Sequence, residues 1–384
     1  MKVGWEIKTL GEICEIERGG SPRPINSYLT TDSNGINWVK IGDTKGITKY
    51  ITKTDEKIRP EGAKRSRMVY EGDFILSNSM SFGRPYIMRT TGCIHDGWLV
   101  LRQPKIDQNY LYHVLSSDMV FAQFDQLAAG STVRNLNIGL VKTVEIPVPP
   151  PQEQRHIVSI LDKALSAIAV ARINTEKNLN NVRSLFESYR HTIFNRRCEG
   201  WEETTVDKLS INLDSMRVPI TKSKRKGGEY PYYGASGIVD YVADYIFEGD
   251  TLLVSEDGAN LLMRSTPIAF SVSGKYWVNN HAHILKFRDM ATQRFVEFYL
   301  ESIKLDEYIT GAAQPKLNQK ALNSIPVPIP SSIEARAKVV SNIESLSAET
   351  KRIENIYNKK VADLEELKKS ILQKAFNGEL SGAH

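Results

Sequence analysis

Apolar positions recur with helical spacing in two long stretches of this chain. From Gln152 to about Arg197 they fall at Ile157, Leu161, Ala164, Ile168, Leu179, Val182, Phe186, Tyr189 and Ile193, in steps of mostly three and four. From about Glu334 to Phe376 the same spacing joins Val339, Ile343, Leu346, Ile353, Tyr357, Val361, Leu364, Leu367 and Ile371. This is the heptad pattern of a coiled-coil seam. Neither stretch contains proline, and Gly200 and Gly378 follow as C-terminal caps. At 1.5 Å per residue each helix should be roughly 65 Å long. A helix of that length with one apolar seam needs a partner in water, and the other copy, packed antiparallel, is the nearest one. Arg172, Thr175 and Thr350 interrupt the seam, which fits either register control or a waist where other subunits dock.

The rest of the chain changes period. Residues 1–148 and 200–328 hold short β-branched and aromatic runs ("INWVKIGD", "DFILS", "GWLVLRQ"; "DTLLVS", "PIAFSVSG", "HAHILKF") separated by Gly, Asn, Asp and Pro, which are strand and turn signals. Each half also has one helix-like stretch, Asn109 to Ala128 and Ala291 to Ile309. The expected fold is a pair of mixed, strand-rich α/β domains joined by two long antiparallel coiled-coil helices. The expected boundaries are 1–148 and 200–328 for the domains, and 149–199 and 329–384 for the helices.

The two halves also repeat in order. "GWE" opens at Gly4 and at Gly200, "YEGD" at Tyr70 answers "FEGD" at Phe247, and "CIHDGW" at Cys93 answers "NNHAHI" at Asn279. "AGSTVRNLN" at Ala129 answers "TGAAQPKLN" at Thr310, and "IPVPPP" answers "IPVPIP" just before each helix. Ordered matches at varying offsets indicate a tandem duplication with insertions, an internal pseudo-two-fold repeat. The proline phrases read as stiff extended connectors feeding the helices, since Pro is tolerated only in a helix's first turn.

Composition excludes more than it proposes. At 384 residues, 41% apolar and 25% charged, the chain suits two or three globular domains with sizeable cores. No apolar run is long enough to cross a membrane, the N-terminus lacks a secretion signal, and the three cysteines (Cys14, Cys93, Cys198) form no CxxC pair, so a reduced, cytoplasmic protein is expected. The net charge of +5 permits nucleic-acid binding without demanding it.

No engine is visible. There is no P-loop for ATP, no dinucleotide fingerprint, and no acidic-or-Asn Pro-Pro-aromatic motif of an amino-methyltransferase. His281 and His283 would share a strand face, more as a polar surface or satisfied pair than as metal ligands, because no third ligand is evident. No catalytic or metal residues are therefore assigned. Two loops are strongly basic: Lys57, Arg59, Lys64, Arg65 and Arg67 in the first half, and Arg217, Lys222, Lys224, Arg225 and Lys226, without a carboxylate among them, in the second. Either they are solvated surface or they neutralise phosphates.

In its order of domain, IPxP connector and long helix, taken twice, the chain resembles the DNA-specificity subunit of type I restriction–modification systems. "GWEETTVDKLS", "SEDGANLLMR", "VNNHAHIL", "QPKLNQKALNSIPVPIP" and "LKKSILQKAFNGEL" carry the resemblance. It implies that each domain reads one half of a bipartite, asymmetric site in double-stranded DNA, with the helices as a ruler for the gap and a dock for two modification (methyltransferase) subunits. It implies no cofactor in this chain: S-adenosylmethionine would lie on the modification subunits, and ATP with Mg on restriction subunits joining the same core. On that reading Lys64, Arg65, Arg67, Lys222, Lys224, Arg225 and Lys226 contact the DNA backbone, and Arg84, Arg134, Gln314 and Lys316 read base edges, with Ser131, Thr132 and Asn260 as further contacts. The alternatives are a duplicated coiled-coil scaffold with protein-binding domains, and a self-sufficient nuclease or methyltransferase, which the missing motifs disfavour.

Overall fold

A computed structural model describes residues 2–78, 83–129, 135–195, 200–311 and 313–380. They form two compact units: Met1–Thr175 with Lys359–His384, and Glu176–Asn358. The first unit thus joins the two ends of the chain.

Both units are built on one strand plan. In the first, one sheet runs in the order Glu15–Arg18, Trp98–Arg102, Phe74–Ser77, Pro85–Met88, Tyr50–Ile51. A second runs Leu29–Thr30, Glu56–Ile58, Ile36–Val39, Gly92–Ile94, Arg67–Val69. In the second unit the corresponding orders are Ser210–Asn212, Ala282–Phe287, Thr251–Ser255, Ala269–Val272 and Gly237–Val242, Tyr230–Gly234, Lys275–Val278, Phe247–Glu248. Even the parallel pairing of Ile36–Val39 with Gly92–Ile94 recurs, as Tyr230–Gly234 with Lys275–Val278.

The continuous apolar runs mark the innermost strands. Phe74–Ser77 and Thr251–Ser255 are buried at every position, because each is covered on both faces. Alternation along the strand sends Phe74 and Leu76 to the core shared with the helices, and Ile75 to the core between the sheets. Leu252 and Val254 against Leu253 repeat that division.

The helices differ in part from expectation. The stretch Asn109–Ala128 is two helices, Gln108–Leu115 and Asp118–Ala129, because Ser117 Oγ turns back to the Val114 carbonyl at 2.6 Å. Its counterpart is one helix, Met290–Ser302, that ends before Ile303. Short helices Ile138–Lys142 and Gln319–Ser324 are capped alike by Asn137 and Asn318, whose side chains accept from Leu140 N and Ala321 N, both at 2.9 Å.

The proline phrases are strands rather than free connectors. Glu145–Val148 pairs with Glu6–Thr9, and Pro326–Pro330 with Trp201–Thr205. Each ribbon has only two strands, so the prolines can turn their missing N–H outward. The long helices then start at Pro151 and Ile333 and run to Asn195 and Phe376. After Phe376 the backbone closes a Schellman turn, with Glu379 N to Lys374 O at 2.9 Å and Gly378 at φ +80.

The helices pair antiparallel inside each unit: Arg172 bonds Glu365 in the first, and Arg183 bonds Glu354 at 2.7 Å in the second. Thr175 and Thr350 are buried on the seam, whereas Tyr189 and Leu367, expected on it, are exposed. The seam ends instead where the helices meet the unit cores: Phe194 stacks edge-on to Phe295 and Tyr299, and Phe376 to Tyr110. Among the described residues no helix is long and apolar enough to cross a membrane.

Phe295→Ala should lower the unfolding free energy by about 3–5 kcal/mol, checked by denaturant melts; a loss below about 1 kcal/mol would contradict this packing. Burial pushes the Cys14 thiol up to about 12 and raises that of Cys93 as well. Iodoacetamide at pH 8 should therefore label neither in the native chain by mass spectrometry, and both after unfolding.

Candidate nucleic-acid interface

At the end of each innermost strand three loops lie side by side. In the second unit Glu256 N donates to His281 O at 2.9 Å, Leu317 N to Glu256 O at 2.8 Å, and Gly258 N to Pro315 O at 3.0 Å. In the first, Asn78 N donates to Gly97 O at 3.0 Å and Leu136 N to Asn78 O at 2.9 Å. The two clusters are equivalent in backbone and unlike in side chains.

The second cluster is ionic. Arg217 bonds Glu256 Oε2 at 2.6 Å and the Ala282 carbonyl at 2.8 Å, and lies 3.6 Å from Asp214. Lys316 Nζ reaches the other Glu256 oxygen at 3.1 Å. His283 contacts Asp214 Oδ2 through Nδ1 at 2.5 Å and donates from Nε2 to the Leu317 carbonyl at 2.7 Å. Burial alone would raise the Asp214 and Glu256 pKa values. The bonds from His283 and Ile284 N to Asp214, and from Arg217 and Lys316 to Glu256, outweigh it and hold both below the usual carboxylate range. The two His283 nitrogens thus face the Asp214 carboxylate on one side and the Leu317 carbonyl on the other. Asp214, Glu256 and His283 have the spacing of a metal triad. The Arg217 guanidinium already contacts both acids, and both His283 nitrogens are engaged.

The first cluster is mostly neutral. Ser21 Oγ donates to Asp96 Oδ1 at 2.7 Å, Asn78 Nδ2 to the Asp96 carbonyl at 2.9 Å, and Arg18 Nε to the same carbonyl at 3.1 Å. The Ser21 bond keeps the Asp96 carboxyl below its ordinary range, and burial lowers the His95 pKa. Gly19 permits the close approach, since a Cβ there would lie 2.1 Å from the His95 carbonyl. Beside this cluster a cavity of about 790 Å³ is lined by Pro22, Arg23, Trp38, Lys40 and His95.

Of the residues expected to meet DNA, several are available. Lys64 and Arg65 are exposed after the short helix Pro60–Ala63, with Arg65 over the Tyr28 ring. Lys222 and Lys224, on the turn Lys222–Lys224, and Lys226 are exposed without ion pairs among the described residues. Gln314 is exposed, and its amide has no partner among the described residues. Arg84 is exposed; its backbone N donates to Ser77 Oγ at 3.3 Å, and it lines a pocket of about 410 Å³ with Thr48, Tyr112 and Lys368.

In four others the side chain is engaged by bonds within its own unit. Arg67 is paired to Glu17 at 3.1 Å. Arg225 is held by Asp240 at 3.0 Å and stacked on Tyr232. Asn260 closes its own loop through Thr266 and Ser265. Lys316 is the Glu256 partner described above. Ser131, Thr132 and Arg134 lie outside the described residues.

The histidines do not share a strand face. His281 precedes the strand Ala282–Phe287 and pairs with Asp257 at 2.9 Å, while His283 points inward at 1% exposure. Sequence reasoning also missed Glu256, Asp257 and Asp214, and read "SEDG" as a turn.

The depressed Asp214 and Glu256 values carry a sign. Their stabilisation is present above the unfolded values of about 3.9 and 4.3 and is lost as pH falls through the lower folded values. The second unit should therefore lose stability below about pH 4. Asp214→Asn should be less stable at pH 7 yet show a shallower acid decline in pH-dependent melts; an unchanged decline would contradict the assignment.

The Type I restriction modification DNA specificity domain matches residues 2–181 and 199–362. The chain is similar to the EcoDI type I restriction enzyme specificity subunit of Escherichia coli, 45% identical over 330 residues, 72% of this chain and 71% of the relative. It is similar to a putative MjaX specificity subunit of Methanocaldococcus jannaschii, 25% identical over 412 residues, 98% of this chain and 93% of the relative. A putative specificity subunit of Haemophilus influenzae is 34% identical over 145 residues, 38% of this chain and only 37% of the relative's length. Among solved structures, a chain from work on complex assembly and conformational transition of the type I R-M system has TM-score 0.83 at 16% identity over 99% of each chain. The HsdS subunit from Thermoanaerobacter tengcongensis has TM-score 0.64 at 18% identity over 99% of this chain and 98% of the other. With the domain matched twice over most of its length, this chain belongs to the type I restriction–modification DNA specificity subunit family.

Proposed function

We propose that this chain is the non-catalytic subunit that gives a cytoplasmic type I complex its DNA target, each unit reading one half of a bipartite, asymmetric site. One observation carries the reading. The two units hold the same three-loop frame at the end of the same strand, yet present different side chains there: Asn78, Gly97 and Asn135 in one, Glu256, His281 and Lys316 in the other. A shared frame with unlike chemistry suits two unlike half-sites. The exposed Lys222, Lys224 and Lys226 beside the second frame fit contacts to phosphate.

The long helices set the gap between the half-sites and dock two modification subunits. Exposed apolar side chains on them support docking: Val170, Ile173 and Leu367 in the first unit, Leu185, Tyr189 and Ile356 in the second. S-adenosylmethionine would be bound by the modification subunits, and ATP with Mg by restriction subunits.

Co-expression with the methyltransferase subunit of its own system, followed by sequencing of methyladenine in host DNA, should reveal one split motif with two defined halves and a fixed gap. Exchanging residues 1–148 for those of another specificity subunit should change one half only. A complex that forms but methylates without sequence preference would sink the reading in favour of a scaffold. In the same complex, replacing Lys222, Lys224 and Lys226 by Ala should weaken duplex binding and reduce the slope of log affinity against log salt by roughly 2.7, at about 0.9 per phosphate contact.

A further inference from the structure

The duplication supplies an internal control for the ionic cluster. Val254 faces His283 across the ladder as Leu76 faces Leu99, and Ser255 faces Ala282 as Ser77 faces Trp98. Asn212 lies opposite Leu285 as Ile16 lies opposite Leu101, which aligns Asp214 with Arg18 two residues on. Glu256 and Asn78 occupy one place by their bonds to Leu317 and Leu136, which puts Lys316 in register with Asn135. Where the second unit has Asp214, Glu256, His283 and Lys316, the first therefore has Arg18, Asn78, Leu99 and Asn135. At these four positions the first unit builds the same frame with Arg18 as its one charged residue, so the strand plan does not require the acids and Lys316 of the second. Buried ion pairs are also poor sources of net stability, and their best-attested use is to fix a geometry.

The charges converge on one segment. His283 bonds the Leu317 carbonyl, Glu256 bonds the Lys316 ammonium, and the Glu256 carbonyl receives Leu317 N. Gly258 N holds Pro315, and Arg217 locks Glu256 from the opposite side. Residues 315–317 are thus tied at four points, and the residue they project is Gln314, whose amide is unbonded among the described residues. Lys316 cannot serve as a mobile cation for phosphate while Glu256 holds it.

We propose that Glu256 and His283 are positioning residues for base recognition, holding the 313–317 segment so that the Gln314 amide meets an adenine edge in the major groove of the second half-site. A side-chain amide pairs one donor and one acceptor, which matches adenine N7 and N6. The inference rests on the proposed DNA-reading function.

The test uses the complex of this chain with its methyltransferase subunit, a randomised duplex library as probe, and methyladenine sequencing. The wild-type motif should contain an adenine in the half assigned to residues 200–328. Gln314→Ala should lower discrimination at that position roughly tenfold or more, leaving the other half-site unchanged. Glu256→Gln should blur the same position although Gln314 is intact, and Glu256→Asn with Lys316→Asn, which copies the first unit's neutral pair, should recover part of it. A merely structural role would reduce methylation at all sites without changing the base preference. If the split motif is present and Gln314→Ala leaves it unchanged, this inference is overturned whether or not the Glu256 variants fold. If the wild-type complex yields no split motif, the DNA-reading function itself fails, and this inference with it.

Discussion

A long amphipathic helix has no stable conformation in water until its apolar seam is covered, and here the cover is supplied at its ends as well as along its length. Phe194 closes the first helix against Phe295 and Tyr299, and Phe376 closes the second against Tyr110. The strand plan of each unit is consistent with this demand. The sheet bearing Phe74–Ser77 turns one face to the helices and the other to the second sheet, as does that bearing Thr251–Ser255. Covering both faces leaves only the strand ends open, and the three-loop frames are gathered there.

The chain's two ends meet in one core for the same reason. Trp5 and Leu10 share a cluster with Leu372, Ala375 and Phe376, so the final helix completes the unit in which the chain begins. The compact first unit takes in segments of both long helices as well, through Thr175 and from Lys359. The same holds in the second unit, where Val340 and Ile343 join Phe194 in the cluster around the helix Met290–Ser302.

Duplication separates what the fold needs from what it leaves free to vary. Positions alike in both units are structural: the capping Asn137 and Asn318, the ribbons of the proline phrases, and the buried serines ending the innermost strands. Positions that differ in one frame, such as Leu99 against His283, are free to vary, because either residue is compatible with the strand. Basic residues show the same division. Arg67 and Arg225 are tied to acids of their own unit, while Lys222, Lys224 and Lys226 are not.

Much of this architecture was written in local patterns. Heptad spacing, proline phrases, continuous apolar strands and the Asn caps act between near neighbours, so the linear order of residues determined the helices, the strands and the repeat. Side-chain partnership was decided only by the tertiary structure. Glu256, His283, Arg217 and Lys316 come from four separated segments, and only the sheet register brings them within hydrogen-bond reach. The sequence shows an isolated Lys316 and an isolated acidic turn. Folding pairs the two, engages Lys316, Arg67, Arg225 and Asn260 in bonds within their own units, and leaves Gln314 exposed. Local periodicity depends on spacing, which a sequence displays directly; charge pairing depends on which distant strands lie side by side, which it does not.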